Sequence, residues 1–205
     1  VLHRHDVAYF RCSDCDLIQT ERPFWLDEAY TSALSALDTG AIERTRLSTE
    51  LTLCLASLCR VSADSPCIDY GGGHGILTRA MRDYGYNFFW HDKYADNLFA
   101  RGFEANPRRR HTMLTCFEVW EHLPNVGADL EAFFRPGHDF LLIGTFLHRG
   151  HRDKWWYYSP KTGQHVAFFS GRTMHFIARR FGYEVIESQR YTLFYRPGLL
   201  HGWRK

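Results

Sequence analysis

The sequence lacks a long apolar run. Its longest, Leu141–Leu147, spans seven residues, whereas a helix that crosses a bilayer needs about 20. The N-terminus carries His3, Arg4, His5 and Asp6 where a signal peptide would have its apolar core. We therefore expect a cytoplasmic protein that does not use a membrane as a partner.

A strong excess of charge of one sign is also missing. The 25 Lys and Arg residues nearly balance the 23 Asp and Glu residues, and the formal net charge is +2. Proteins dedicated to nucleic acid usually concentrate positive charge, so we expect no nucleic-acid partner. With 45% hydrophobic and 16% aromatic residues, the chain can bury one good core.

Cysteines are too few for a disulfide scaffold. Four of the six lie inside apolar stretches and are predicted to be small buried side chains: Cys54, Cys59, Cys67 and Cys116. Cys12 and Cys15 form a Cys-x-x-Cys knuckle, which can bind one edge of a tetrahedral zinc ion. A structural zinc site needs four ligands, and the sequence has no second such pair. A zinc site and a turn with two free thiols both stay open.

The most informative stretch is Cys67–Tyr70 followed by alternating glycines and then a helical pattern from Ile76. It predicts a strand that turns sharply into a helix and leaves its backbone bare at the turn. A dinucleotide-binding fingerprint would need a third glycine at position 76. Ile76 therefore disfavours an NAD-dependent oxidoreductase.

A second strand is predicted over residues 87–91, and it delivers Asp92, 17 residues after Gly75. Together with the glycines, this acid resembles motif I and the ribose-binding acid of class I S-adenosylmethionine-dependent methyltransferases. The resemblance implies that S-adenosylmethionine is the cofactor, with its amino-acid end on the glycines and its ribose on Asp92. The cofactor-binding residues it implies are Asp69, Gly71, Gly73, Gly75, Asp92, Tyr94, Cys116 and Phe117.

The same resemblance implies an α/β fold, the Rossmann-like class I methyltransferase sheet, mostly parallel with an antiparallel last strand. Only 20 residues separate Asp92 from Thr112, whereas the family places a complete helix-strand unit there. We therefore expect the third strand to be reduced or absent. A short helix is expected at residues 95–101.

The segment Phe117–Pro124 is similar to the Glu-Val-x-Glu-His-Leu segment that faces the reactive methyl group in small-molecule methyltransferases. His122 has the pKa range of a general base. A histidine satisfied by local hydrogen bonds at the start of a helix is the alternative.

The long loop of residues 148–170 is rich in aromatic side chains and contains a Thr-Gly-Gln-His step. It resembles a loop of bacterial methyltransferases associated with surface-polysaccharide synthesis, which implies a sugar or nucleotide-sugar as the small-molecule substrate. We expect an aromatic substrate wall; a lid that packs without touching substrate is the alternative. The candidate catalytic residues are His165, His122, Gln164 and Tyr158.

Three units are predicted along the chain. Residues 1–25 resemble part of a zinc-binding module, residues 26–60 are a helical cap, and residues 61–205 are the methyltransferase domain. In the cap, Leu47, Leu51, Leu55 and Leu58 mark one apolar helix face, and Tyr30 is a candidate to close over the cofactor. The rival function is a zinc-knuckle nucleic-acid-binding module on a degenerate methyltransferase scaffold. The sequence leaves the acceptor atom and the oligomeric state open.

Overall fold

The computed structural model describes residues 1–30, 39–150 and 155–200. In chain order its strands are β1 (Tyr9–Arg11), β2 (Ile18–Thr20), β3 (Cys67–Tyr70), β4 (Phe88–His91), β5 (Met113–Phe117), β6 (Phe140–Gly144), β7 (Ala167–Phe168), β8 (Glu184–Glu187) and β9 (Tyr191–Tyr195). Its helices are α1 (Leu26–Ala29), α2 (Ala41–Leu58), α3 (Ile76–Asp83), α4 (Val126–Phe134) and α5 (Gly171–Phe181). Two short 3-10 turns lie at Trp120–His122 and Trp156–Tyr158.

Six strands form the central sheet in the order β4-β3-β5-β6-β9-β8. The first four are parallel to one another, and β9 runs antiparallel to both of its neighbours. This arrangement confirms the predicted α/β fold with a mostly parallel sheet and an antiparallel last strand. Because β3 lies between β4 and β5, the strand order reverses there, and open sheets of this kind bind ligands at such a point.

Helices cover both faces of the sheet, which explains why its central strands are apolar on both sides. All five residues of β6 are buried. On one face, α4 and α5 contribute Leu130, Phe134 and Ile177 to the core. On the other face, α2 and α3 contribute Ala56 and Met81. No helix in the described part of the chain is long and apolar enough to cross a bilayer.

Helix α2 packs only part of the predicted apolar face against the core. Leu47 and Leu58 are 38% and 47% exposed, and the helix instead buries Ser48, Thr49, Thr52 and Ala56. The hydroxyl groups of Thr49 and Thr52 donate hydrogen bonds to carbonyl oxygens one turn earlier, at 2.8 and 2.7 Å. The prediction is right for Leu51 and Leu55, which pack against the core, and wrong for Leu47 and Leu58. The threonines satisfy their hydroxyls within the helix and can then be buried.

The third strand of the family is reduced, as predicted. A single parallel bridge joins Trp90 of β4 to Glu104. Two backbone hydrogen bonds accompany it, from Trp90 to the carbonyl of Phe103 at 2.7 Å and from Ala105 to the carbonyl of Trp90 at 3.0 Å. One bridge therefore remains of that strand.

The helix predicted at residues 95–101 is absent from the structure, which has bends and turns there. The Asp92 carboxylate accepts a hydrogen bond from the Ala95 backbone at 2.9 Å, and the Asn97 side chain accepts one from the Ala100 backbone at 2.8 Å. Such bonds compete with those of a helix. The prediction is wrong because these two side chains hold the segment in turns.

The N-terminal strands belong to a second sheet. Strand β2 pairs with β1 on one side and with β7, from the long loop, on the other, and all three strands are antiparallel. The knuckle segment is thus joined to the loop that carries His165. The division of the chain into three units stays a prediction. Part of the predicted cap, residues 31–38, lies outside the described residues.

A buried histidine pair makes stability depend on pH. Burial lowers the pKa of His138 to about 4, although the His111 backbone beside it opposes the shift. Its Nδ1 accepts a hydrogen bond from the His111 backbone at 3.0 Å. Because the unfolded chain binds this proton near pH 6.5 and the folded chain does not, the contribution of His138 falls as pH drops from 7 to 5.

We expect that contribution to fall by about 2 kcal/mol over this range. In His138→Asn, the amide oxygen keeps an acceptor for the His111 backbone but cannot titrate. Urea unfolding at pH 7 and pH 5 should therefore show a smaller loss of unfolding free energy in the variant than in the wild type. Equal losses in both proteins would contradict the assignment.

Candidate functional site

The glycine-rich bend follows β3 at the carboxyl edge of the sheet. Gly71, Gly73 and Gly75 have φ angles of +70°, +54° and +90°, a region in which other residues are strained. A Cβ atom at Gly71 would overlap the Val119 side chain, whereas a Cβ at Gly73 would meet no atom within 4 Å. Gly71 therefore packs against the segment after β5, while Gly73 has open space where a side chain would be. The Gly73 carbonyl accepts a hydrogen bond from the Trp90 ring at 2.9 Å.

Asp92 faces this bend. One of its carboxylate oxygens accepts a hydrogen bond from the Gly73 backbone at 2.9 Å. The other accepts two, from the Tyr94 backbone at 2.7 Å and the Ala95 backbone at 2.9 Å. An ionised carboxylate has about four acceptor positions, so the oxygen beside Gly73 keeps capacity for another donor.

Asp69 lies behind the bend. It is 3% exposed, and one of its oxygens accepts a hydrogen bond from the Thr115 hydroxyl at 2.8 Å. Desolvation raises its pKa to about 7; the Thr115 bond opposes the shift and the nearby charge of Asp92 adds to it. The other oxygen would be 2.8 Å from a Cβ at Gly72. Asp69 therefore packs against the bend at Gly72. Its contact with the cofactor stays a prediction.

Two aromatic rings connect the bend to the segment after β5. Tyr94 is 79% exposed and stacks on Tyr30, with ring centroids 6.4 Å apart and an interplanar angle of 15°. The Tyr30 hydroxyl lies 2.8 Å from Nδ1 of His122. The end of α1 therefore lies over the carboxyl edge of the sheet.

Cys116 and Phe117, both predicted to line the cofactor, end β5. Cys116 is fully buried, and desolvation raises the pKa of its thiol. The Phe117 ring packs edge-on against Tyr191 at 6.2 Å and lies where a Cβ at Gly144 would be. The contacts of both residues are with the protein core, and their predicted role stays a prediction.

The structure brings together His122, His165 and Glu121. One ligand atom of each lies within 4.8 Å of the other two. The two histidine rings meet edge to face, with centroids 4.9 Å apart. The backbone of Val166 donates to the carbonyl of Glu121 at 2.8 Å, which fixes the loop beside the turn after β5. We call these three side chains the His-Glu cluster.

Backbone carbonyls lie beside Nδ1 of both histidines. Nδ1 of His165 lies 2.6 Å from the carbonyl oxygen of Tyr157, and Nδ1 of His122 lies 3.0 Å from that of Gln164. Because a carbonyl can only accept, Nδ1 of His165 carries the hydrogen, and its Nε2 keeps a lone pair in the neutral ring. In His122 the tautomer that donates to the Gln164 carbonyl places the Nδ1 hydrogen between that carbonyl and the Tyr30 oxygen at 2.8 Å, and it too leaves a lone pair on Nε2. Desolvation lowers the pKa of both histidines to about 4.

Glu121 and Tyr157 are the residues that sequence reasoning missed. Glu121 is fully buried, and one of its oxygens accepts a hydrogen bond from the Tyr157 hydroxyl at 2.5 Å. In the ranges that the structure describes, its other oxygen has no hydrogen-bond partner. The position of Glu121 beside His122 was the only available signal, and nothing in the sequence linked it to Tyr157.

The other two candidate catalytic residues have different surroundings. The Gln164 side chain donates a hydrogen bond to the Ala29 carbonyl at 2.9 Å, which ties the loop to α1. Tyr158 packs against Tyr9 and Phe168, with ring centroids 5.4 and 4.8 Å away. Their catalytic roles stay predictions, and the observed contacts are structural ones.

The expected aromatic substrate wall is mostly packed into the protein. Tyr157 is 2% exposed and Trp155 and Tyr158 are half-buried, and all three pack around Phe168 and Ile18. Trp156 differs, because it is 66% exposed. Of the four consecutive aromatic residues, Trp156 is therefore the most exposed.

The knuckle of Cys12 and Cys15 is formed, with Cys12 exposed and Cys15 buried. Hydrogen bonds from the backbone of Cys15 and then of Asp14 lower the pKa of the Cys12 thiol. No third metal-ligating side chain joins the pair within residues 1–30, 39–150 and 155–200. Two ligands do not make the four-coordinate site that structural zinc requires, so zinc binding by these cysteines stays a prediction.

Comparison with known proteins identifies the family of the chain. Residues 42–188 match the family model described as a methyltransferase domain, and the chain belongs to this family. A search of curated proteins finds no match.

Solved structures share the fold. Magnesium protoporphyrin IX methyltransferase from Synechocystis PCC 6803, with S-adenosylhomocysteine bound, has a TM-score of 0.57 at 12% identity, covering 83% of this chain and 92% of its own. The 1,6-didemethyltoxoflavin-N1-methyltransferase from Burkholderia thailandensis, with its substrate and S-adenosylhomocysteine bound, has a TM-score of 0.56 at 11% identity, covering 93% and 97%. At such identities the likeness is one of fold.

Proposed function

We propose that the chain transfers a methyl group from S-adenosylmethionine to a small molecule. The observation that carries this proposal is the Asp92 carboxylate, which accepts a hydrogen bond from the Gly73 backbone beside open space, at the point where the strand order reverses. Open space above Gly73 admits the cofactor's amino-acid end, and Asp92 can accept hydrogen bonds from the ribose hydroxyls. The structural neighbours with S-adenosylhomocysteine bound support the same cofactor.

The residues around the bend fit such a cofactor, which would supply a methyl group already activated by its positive sulfur. The protein then has to align the acceptor with that methyl group and assist the loss of the acceptor's proton. Tyr30 and Tyr94 cover the edge where the two molecules would meet. Trp156 offers an exposed ring on which a sugar can stack.

The finer proposal concerns the acceptor and its proton. Nε2 of His165 or His122 takes the proton from a hydroxyl group of the methyl acceptor, because both nitrogens keep a lone pair. We propose a sugar or nucleotide-sugar of surface-polysaccharide synthesis as the acceptor, with the reaction in the cytoplasm. This choice rests on the resemblance of the aromatic loop and on the exposed Trp156.

Titration calorimetry tests the cofactor. S-adenosylmethionine and S-adenosylhomocysteine should each bind with one site per chain, whereas NAD should not bind. Absence of binding by both sulfur compounds would overturn the proposal, and binding of NAD alone would favour an oxidoreductase. Transfer of a radiolabelled methyl group to a panel of nucleotide-sugars then tests the acceptor class; labelling of none of them would refute that class while leaving the cofactor result intact.

Gly73→Ala should lower the affinity for S-adenosylmethionine by about tenfold or more, because the new methyl group occupies the space proposed for the cofactor. Gly85→Ala is the matched control. Gly85 has φ +87° and also has no atom within 4 Å of a Cβ, but it follows α3 at the opposite edge of the sheet. Calorimetry should show weakened binding only in Gly73→Ala; similar affinities in the two variants would contradict the placement.

A further inference from the structure

We propose that Glu121, His122 and His165 bind one divalent first-row transition-metal cation through a carboxylate oxygen and two Nε2 atoms. The role of the cation in methyl transfer rests on the proposed function. In this inference the two histidines bind a cation that activates the acceptor, instead of accepting its proton themselves.

The distances fit such a site. One ligand atom of each residue lies within 4.8 Å of the other two. Ligands bound at about 2.0–2.2 Å from one cation are about 3–4 Å apart, so the three side chains need to draw together only slightly. Two imidazoles and one carboxylate are a ligand set typical of iron, zinc and related divalent cations.

The hydrogen bonds around the cluster orient its ligand atoms. Metal-binding histidines usually donate their second ring N–H to a carbonyl or a carboxylate, which fixes the tautomer. Here His165 does so to the Tyr157 carbonyl and His122 to the Gln164 carbonyl. Nδ1 of His122 also lies 2.8 Å from the Tyr30 hydroxyl. The Gln164 carbonyl and the Tyr30 hydroxyl are thus both partners of Nδ1, and Nε2 is the nitrogen that can bind a cation.

Glu121 supplies the independent observation. This fully buried carboxylate has one oxygen held by the Tyr157 hydroxyl at 2.5 Å. Its second oxygen is buried and lacks a hydrogen-bond donor throughout the described ranges. A buried polar atom without a partner is costly, and a cation between Glu121 and the two histidines removes that cost.

The neighbouring charges leave this carboxylate without a cationic side chain of its own. The next acid along the turn, Glu118, has two arginines nearby, Arg44 at 3.7 Å and Arg190 at 3.5 Å. No ion pair of Glu121 occurs among the described residues. A bound cation is therefore the charge that fits beside Glu121.

Three protein ligands leave coordination positions open for an acceptor. A cation here would bind an acceptor hydroxyl oxygen and lower its pKa, so that its proton passes to solvent. The oxygen then attacks the methyl carbon of S-adenosylmethionine as the carbon–sulfur bond breaks. The electron pair of that bond stays on sulfur, which becomes a neutral thioether.

Binding of Mn²⁺ to the full chain tests the site, because this cation prefers carboxylate oxygens to the thiols of the knuckle. Electron paramagnetic resonance of free Mn²⁺ should show one bound ion per chain. Glu121→Gln and His165→Asn should each lower the Mn²⁺ affinity by about tenfold or more. Glu131→Gln, a change in an exposed glutamate paired with Arg180, and Cys12→Ser should bind Mn²⁺ as the wild type does.

Parallel titrations with Co²⁺ and Zn²⁺ in the Cys12→Ser chain extend the test to softer cations. Failure of all three cations to bind, or equal binding by the wild type and Glu121→Gln, would overturn the inference. A thermal melt shows that each variant is folded, and calorimetry with S-adenosylmethionine on the same samples measures cofactor binding. Cation binding without cofactor binding would contradict the proposed function but not this inference. Cofactor binding without cation binding would contradict this inference but not the proposed function.

Discussion

Asp92→Ala is expected to lower the affinity for S-adenosylmethionine by about a hundredfold, since hydrogen bonds to a charged group contribute about 1.5–3 kcal/mol each. The carboxylate would lose its bonds to the ribose hydroxyls. It would also lose its acceptor contacts with the backbones of Gly73, Tyr94 and Ala95, which hold the bend open. Both effects act in the same direction on cofactor binding, and calorimetry measures their sum.

The control for this variant is Asp83→Ala. Asp83 is an exposed acid at the end of α3 that pairs with Arg79 at 3.0 Å, and its loss should leave the affinity unchanged. A thermal melt of each protein checks that the fold survives. An affinity in Asp92→Ala within threefold of the wild type would show that Asp92 does not bind the ribose.

The bend and its acid could be predicted because their signals are local. A strand followed by glycines at alternate positions leaves few backbone conformations open, and Asp92 follows directly from the next strand. The structure accordingly confirms a helix that begins at Ile76, and β4 begins one residue later than predicted. The reduced third strand was predictable from chain length alone, because too few residues remain for a full helix-strand unit.

The His-Glu cluster could be predicted only in part. Both histidines stand in recognisable segments, but their contact depends on β7 joining the loop to the N-terminal sheet, a pairing with no sequence signature. Glu121 was not singled out because an acid next to a histidine is common. Glu121 became a candidate site residue only because it is buried and bonded to the Tyr157 hydroxyl. Both are properties of the folded chain.

Two wrong predictions have a shared cause. In α2 the prediction followed hydrophobic periodicity, and after Asp92 it followed the length of chain left for a short helix; in both places short polar side chains decide the structure. Thr49 and Thr52 bond to their own helix and can be buried, and Asn97 bonds to a nearby backbone and holds a turn. Local side-chain to backbone bonds of this kind override a weak apolar pattern.

His165→Asn and His122→Asn are each expected to lower turnover by about a hundredfold or more, with little change in affinity for S-adenosylmethionine. In each variant the asparagine amide can take the place of Nδ1–H and keep the bond to the Tyr157 or Gln164 carbonyl. The change therefore removes Nε2 and little else. Turnover is measured as methyl transfer to the acceptor found in the nucleotide-sugar panel.

His175→Asn, a change at an exposed position of α5, is the matched control and should keep full turnover. Wild-type turnover in both cluster variants would remove the histidines from the reaction. A free base and a cation ligand both predict the loss, but they differ in one respect. If a histidine acts as a free base, stripping the wild type with a chelator leaves its turnover intact. If the histidines hold a cation, chelation lowers turnover to the level of the His165→Asn variant, and added Mn²⁺ restores only the wild type.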